Sequence, residues 1–296
     1  MRSVLEPDAV RYYEAAGMII KKVKGISRTF IRKDARLIDI AERIEELIIS
    51  EGGQPAFPCT IAINEIASHF TPAKDDERVF KSGDLVKLDF GASIEGYIAD
   101  AAFTQEIETD VHAKLICTAE KALTSGISTV RPGVYVGEIG KAIEQAASVE
   151  GLHVLKDLLG HSLLRYRLHG GLTIPNYDSG SDMRIREGDV LAIEPFVTAG
   201  SGAINRVNGG NIYQLLRNGA IYAHGPGEKE LLEYITEHYH TFPFAGRWLP
   251  GTNGLEGLIK AACVKSFPIM IEADGAPVAQ AESTVIVEQE GCRIIT

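Results

Sequence analysis

Apolar residues recur at helical spacing in two early stretches. Val10, Tyr13, Ala16, Ile19 and Ile20 mark a helix that Pro7 or Asp8 starts and that runs to about Ile26. A second covers about Asp34 to Ile49 and stops at Gly52-Gly53. Pro55 to Pro58 is extended or turning chain, and then the period changes. Leu85 to Phe90 is aliphatic and β-branched enough for a strand, Glu95-Gly96 supplies a hairpin turn, and Tyr97 to Thr104 returns. A third helix spans about Val111 to Val130, ended by Arg131-Pro132-Gly133, and a fourth about Val136 to Glu150. Val190 to Phe196 and Ser283 to Glu288 read as further strands.

The two halves echo each other. Leu37-Ile38-Asp39-Ile40-Ala41 has the pattern of Val136-Gly137-Glu138-Ile139-Gly140. Each helix leads to a Gly-Asp step and an apolar strand, beginning at Gly83-Asp84 and Gly188-Asp189. Both strands place an acid, Asp89 or Glu194, six residues after the glycine. A duplicated α+β unit explains this, and it brings the two acids to equivalent places at one centre. The stretch from about Ser201 to Phe267 has no counterpart. With helical runs at Glu228 to His238 and Leu255 to Val264, it reads as a helical insertion within a single domain of residues 1–296.

The chain has 296 residues, 45% of them hydrophobic and 24% charged, which is ordinary globular composition. A formal charge of −10 argues against nucleic acid or an anionic membrane as the main partner. The basic cluster Lys21, Lys22, Lys24, Arg28, Arg32 and Lys33 reads as a solvated helix face. Four widely spaced cysteines suit reduced thiols, no early run resembles a signal peptide, and no stretch is apolar for long enough to cross a bilayer. A cytoplasmic protein is expected.

Five residues carry candidate metal chemistry: Asp89, Asp100, His161, Glu194 and Glu282. If Glu95-Gly96 is a two-residue turn, Gly91 faces Asp100, and Asp89, Gly91, Asp100 and Ala102 share one face. Asp89 and Asp100 are then diagonal neighbours, about 7 Å apart at the backbone. Bare, they would repel, and cations between them remove that cost. Glu194 ends the apolar run Val190-Leu191-Ala192-Ile193, and Glu282 lies in Ala279-Gln280-Ala281-Glu282-Ser283-Thr284-Val285-Ile286-Val287; each needs a partner or a metal. His161 follows Gly160 and taken alone is equally a core histidine; the constellation carries the inference. Four carboxylates and one imidazole can hold two divalent metals, with Mn²⁺, Fe²⁺, Co²⁺ and Zn²⁺ the suited ions. His69 and His169 are candidates for hydrogen bonding a substrate or a developing oxyanion. Phe57 is a candidate pocket wall or a core residue. His112, His153, His224, His238 and His240 have no such context.

Beyond these residues, Gly53-Gln54-Pro55-Ala56-Phe57-Pro58, Ile63-Asn64-Glu65-Ile66-Ala67-Ser68-His69-Phe70-Thr71-Pro72 and Lys87-Leu88-Asp89-Phe90-Gly91 form recognisable motifs. So do Gly96-Tyr97-Ile98-Ala99-Asp100, Gly160-His161, Tyr166-Arg167-Leu168-His169-Gly170-Gly171, Ala192-Ile193-Glu194-Pro195-Phe196 and Phe242-Pro243-Phe244-Ala245-Gly246-Arg247-Trp248-Leu249. Together, over nearly the whole chain, they resemble type II methionine aminopeptidases of the archaeal short form. The resemblance implies an α+β, creatinase-like "pita-bread" fold: two pseudo-repeated halves, a curved antiparallel sheet, outer helices and a helical insertion. It implies that Asp89 chelates one metal, that Asp100 and Glu282 bridge both, and that His161 and Glu194 complete the other shell. His69 and His169 would contact the scissile amide and stabilise its tetrahedral intermediate, and Phe57 and Leu168 would help line the methionine pocket. The resemblance favours a monomer acting on nascent polypeptide N-termini and leaves transient contact with the ribosome open.

Two stretches depart from the family pattern. Ala281-Glu282-Ser283-Thr284 stands where Phe-Glu-His-Thr is usual, and Asp89-Phe90-Gly91-Ala92-Ser93 where Asp-Val-Gly-Val-His is frequent. Neither removes a ligand; both change groups around one. Proline-specific relatives of the prolidase or aminopeptidase P kind share the five-ligand pattern, and non-enzymatic ribosome-associated relatives share the fold. These are the competing readings.

Overall fold

The computed structural model describes residues 5–218, 223, 225 and 227–296. Helix α1 (Pro7–Ser27) opens with Pro7 in its first turn, where a missing N–H costs nothing. It buries Tyr13, Ala16, Gly17, Ile20 and Val23 along one stripe. Gly17 is required there, because a Cβ would fall 2.2 Å from the carbonyl oxygen of Ile295. Helix α2 (Leu37–Ser50) buries Leu37, Ile40, Ala41, Ile44 and Ile48 beside it. The two cover a sheet in which Leu85–Ile94 pairs with Gln54–Pro55, Thr60–Ile63 and Tyr97–Glu106.

The second half repeats this plan. Helices α3 (Ala113–Thr129) and α4 (Val136–Val149) pack over a five-stranded antiparallel sheet. Its order is Gly291–Ile294, Ser283–Glu288, Val190–Ile193, Gly160–Ser162, Thr173–Ile174. Each half has its own apolar core, one built on α1 and α2, the other on α3 and α4. The halves are stitched where Glu282 N–H donates to Ala102 O (3.1 Å) and Tyr13 Oη donates to Leu163 O (3.1 Å).

The hairpin forms in the expected register: Ile94 faces Tyr97, Gly91 faces Asp100 and Asp89 faces Ala102. Three expectations are corrected. The run Val190 to Phe196 is two strands, Val190–Ile193 and Phe196–Thr198, parted by Glu194 and by Pro195, which has no N–H to give a ladder. The segment 201–267 is not purely helical. Ile204–Val207 pairs with Ile269–Glu272, itself paired with Ile66–Ser68, so it belongs to the body. Beyond it, Ile212–Leu215, Phe244–Ala245 and Val264–Ser266 form a small sheet that packs with α5 (Glu228–Tyr239) and α6 (Leu255–Lys260) around a separate core. Helix α6 ends at Lys260, not Val264, because Ala262 turns to φ 52° and Cys263 N–H closes on Leu258 O.

The small unit is locked to the body by a buried network. Glu45 of α2 accepts from Trp248 Nε1 (2.9 Å), from Cys59 N–H (3.0 Å) and from the Arg247 guanidinium, which also donates to Thr71 Oγ1 (2.7 Å). All four cysteines are free, and no described helix is long and apolar enough to cross a membrane.

Candidate metal centre

Asp89 and Asp100 leave facing strands of the hairpin on one side of the sheet. Glu282 sits one residue before the strand Ser283–Glu288, and Glu194 one residue after Val190–Ile193; His161 lies within Gly160–Ser162. All five line one cavity of about 340 Å³, together with His69, His169, Phe57 and Leu168. Every sequence-derived candidate therefore reaches one place. His112, His153, His238 and His240 do not line the cavity, and His224 lies outside the described residues.

Ligand oxygens of Asp89, Asp100 and Glu282 lie within 4.8 Å of one another. His161 Nε2 is 3.6 Å from Glu194 Oε1 and 4.0 Å from Asp100 Oδ2. Burial pushes Asp89 up to about 7, against an opposing hydrogen bond from Gln280 and the charge of Lys24. Burial first, then the neighbouring acids, raises Asp100, Glu194 and Glu282 well above the usual carboxylate range. Burial lowers His161 to about 3, so the contacts to Glu194 and Asp100 are made by a neutral imidazole and are not ion pairs.

Four carboxyl groups and a neutral imidazole thus converge with little compensation. Asp89 Oδ1 and Asp100 Oδ1 are buried and without a hydrogen-bond partner. Buried acceptors left unpaired are costly, and a divalent cation is the group that satisfies such a set. The donor set of four carboxylates and an imidazole nitrogen fits hard or borderline divalent ions.

Three supporting residues escaped the sequence reading. Lys24 is not on a solvated face: its Nζ donates to the Glu282 carbonyl (3.1 Å), and burial lowers its pKa against the pull of Glu282. Gln280 Nε2 donates to Asp89 Oδ2 (3.3 Å) and Glu282 Oε2 (3.4 Å), bridging the two halves. Thr284 Oγ1 accepts from Asp100 N–H and donates to Asp100 O, both at 2.8 Å, which fixes the backbone behind that acid. Only Gln280 carried a hint, as the one polar residue of the short strand Val278–Gln280.

His69 has φ 63°, an uncommon conformation for a non-glycine residue and one concentrated at functional sites. Its backbone is pressed against Gly210, where a Cβ would lie 2.2 Å from the His69 carbonyl oxygen. His69 Nδ1 is 3.3 Å from Pro268 O, which can only accept; Nδ1 therefore carries the proton and Nε2 is left as an acceptor. Burial lowers His69 to about 4, so the ring is neutral near pH 7. His169 lines the same cavity, its ring 4.5 Å from that of His161, and burial and the charge of Lys265 lower it. Phe57, Leu168, Ile212, Pro243 and Phe267 give the cavity its apolar wall; the last three come from or adjoin the inserted unit. Gly91 leaves room for Phe57, because a Cβ there would fall 2.5 Å from the ring.

With this geometry in view, the chain can be compared with known proteins. The model of metallopeptidase family M24 matches residues 11–223. A methionine aminopeptidase of Methanothermobacter thermautotrophicus is 39% identical over 97% of this chain and 98% of its own. Among solved structures, a thermophilic Arx1 superposes with TM-score 0.86 at 19% identity, covering 98% of this chain and 91% of its own. A methionine aminopeptidase from Thermotoga maritima superposes with TM-score 0.75 at 23% identity, covering 100% and 99%. Those two likenesses establish the α+β pita-bread architecture, and no more.

Proposed function

This chain belongs to metallopeptidase family M24, and from that premise we propose that it is a methionine aminopeptidase, removing an N-terminal methionine when the next residue is small. The observation that carries the reading is the cluster of Asp89, Asp100 and Glu282 oxygens within 4.8 Å, two of them unpartnered, opening on an apolar cavity flanked by two neutral histidines. Asp89, Asp100 and Glu282, with His161 and Glu194, would hold two divalent metal ions. Bound there, such ions polarise a carbonyl oxygen and lower the pKa of water.

The chain's own residues do the rest. The neutral His69 Nε2 accepts a hydrogen bond from a substrate N–H, which a pKa near 4 keeps available at neutral pH. His169, which lines the same cavity, donates to the oxygen on which charge develops. Phe57, Leu168 and Phe267 enclose the methionine side chain, the rings giving its thioether favourable contacts. Pocket walls that leave little space beyond that side chain reject a bulky second residue sterically. The substrates are nascent polypeptides, and the cytoplasmic setting this implies suits four unpaired cysteines.

Hydrolysis of Met-Ala-Ser and Met-Lys-Ser peptides by the metal-loaded protein, with metal content measured in parallel, tests this reading. Met-Ala-Ser is expected to be cut and Met-Lys-Ser spared. Equal rates overturn the specificity, cleavage only of Xaa-Pro peptides supports the prolidase alternative, and no turnover at full metal occupancy supports a binding protein.

A further inference from the structure

Beside the catalytic cavity a second one of about 940 Å³ opens, and the two share His69, His169 and Phe267. A peptide running outward from the histidines passes into it. Its walls include Arg165, Arg167, Arg206 and Lys265 and, among the described residues, no acid, on a chain whose net charge is −10. We propose that this groove receives the third to fifth residues of the substrate and makes the enzyme favour nascent chains that are acidic there. The proposal rests on the aminopeptidase reading and deepens it.

The four cations are not equivalent. Arg206 is paired with Asp157 at 3.0 Å, an acid on the rim of the catalytic cavity, so its charge is partly spent. Arg165 donates from Nε to the Glu95 carbonyl (2.9 Å) and lies 5.3 Å over the rings of Tyr97 and Tyr166. These contacts hold the guanidinium without neutralising it. Lys265 sits 4.1 Å over the Phe267 ring. Among the described residues, Arg165, Arg167 and Lys265 have no ion-pair partner. Arg167 directly precedes Leu168 and His169, and Lys265 is two residues before Phe267, so both cations of the second cavity are joined through short stretches of chain to residues that line the first. The field of Lys265 reaches inward, helping to lower both His69 and His169.

The wall is preorganised. Tyr166 N–H donates to Gly96 O (2.7 Å), Thr241 Oγ1 donates to Tyr166 O, and Gly96 lies so close to the Tyr166 ring that no Cβ fits. The arginine-bearing loop is thereby pinned to the hairpin tip. An extended peptide advances about 3.3–3.6 Å per residue, so three residues span roughly 10 Å of groove. Leu215, Leu216 and Met270 line the same groove, which suits a polypeptide better than a polyphosphate backbone. Exposed ion pairs are individually weak and screened by salt, so two or three together give about a 3–10-fold preference at low ionic strength.

The test compares kcat/KM for equal-length peptides in which Met-Ala is followed by three Glu, three Gln or three Lys. The expected order is Glu, Gln, Lys, with about 3–10-fold between the extremes at low salt and little difference at about 0.5 M NaCl. An Arg167→Gln/Lys265→Gln variant should flatten the order. Equal rates at low salt, or an order that survives in the variant, overturn the proposal. A short single-stranded RNA that blocks the Gln peptide as strongly as the Glu peptide would assign the groove to nucleic acid instead. If no Met-Ala peptide is cut, the aminopeptidase reading fails. Fluorescence anisotropy of labelled Ala-Glu-Glu-Glu against Ala-Lys-Lys-Lys on the metal-free protein then decides the groove alone, and equal affinity refutes it.

Discussion

Replacing Asp89 by asparagine should make the metal-free protein more stable and the metal-loaded protein less so. Burial holds the Asp89 carboxyl at about 7 instead of its ordinary 3.8. At neutral pH that displacement amounts to about 4 kcal/mol of unfavourable free energy, at about 1.36 kcal/mol per pH unit. The folded-state value is raised, so the folded protein keeps a proton that the unfolded chain releases. The penalty is absent near pH 4, grows as pH rises and is complete above about pH 7. An asparagine carbonyl can keep the bond from Gln280 Nε2, and its uncharged amide replaces a carboxyl beside the Asp100 and Glu282 oxygens. Imperfect pairing of the buried amide takes back about 1–3 kcal/mol, leaving a net gain of about 1–3 kcal/mol. For 296 residues the unfolding entropy near Tm is about 0.6 kcal/mol/K, so Tm should rise by about 2–5 °C. Metal at a hundredfold excess over Kd adds about 2.7 kcal/mol to the parent, or about 4 °C, and much less to the variant, which lacks one ligand charge. Calorimetry of chelator-treated protein near pH 7.5 and pH 4.5, with and without Mn²⁺, reads all four corners. The variant's advantage should vanish at the lower pH. A metal-free variant that melts below the parent at pH 7.5, or an undiminished rise with Mn²⁺, refutes the argument.

Three further outcomes are expected. His69→Ala and His169→Ala should each lose about 10²–10³ in turnover while calorimetric metal titration stays near the parent's, since each is placed on the substrate rather than on the ions. Gly91→Ala should drive the Phe57 ring into the pocket and raise KM for Met-Ala peptides about tenfold with metal content unchanged, because the new Cβ would start 2.5 Å from that ring. Arg247→Met should cost about 3–5 kcal/mol in urea unfolding by stranding Glu45 in the interior, and adding Glu45→Gln should recover part of it.

The hairpin was legible because a two-residue turn and a period of two leave one register, and that register put Asp89 and Asp100 on one face. Glu194 stood out because it ends a continuous apolar run, and Glu282 because it stands in a stretch, Ala279 to Val287, that is largely apolar and β-branched. Lys24 was not legible. Its neighbours Lys21 and Lys22 are solvated, and only the packing of α1 against the second half buries its ammonium. The small sheet of the insertion was hidden for a related reason. Its strands are two to four residues long and pair across gaps of tens of residues, so no local period announces them. The cationic groove is likewise a product of assembly, collected from positions 165, 167, 206 and 265.

The division of the acid cluster between the two halves has a kinetic consequence. The hairpin can form with Asp89 and Asp100 still open to water, and the second sheet can form with Glu194 and Glu282 equally hydrated. The hairpin alone holds only the Asp89–Asp100 pair, and the full four-acid centre exists only once the halves close on each other at Glu282 and Ala102. Crowding of the full set of charges, and its relief by cations, therefore belongs to the docked arrangement; if docking follows the main barrier to folding, both are absent from the transition state. An interaction absent from the transition state alters the escape rate from the native basin and leaves the rate of entry alone. Bound ions should thus lengthen the lifetime of the folded enzyme without hastening its formation, and chelation should shorten that lifetime in proportion.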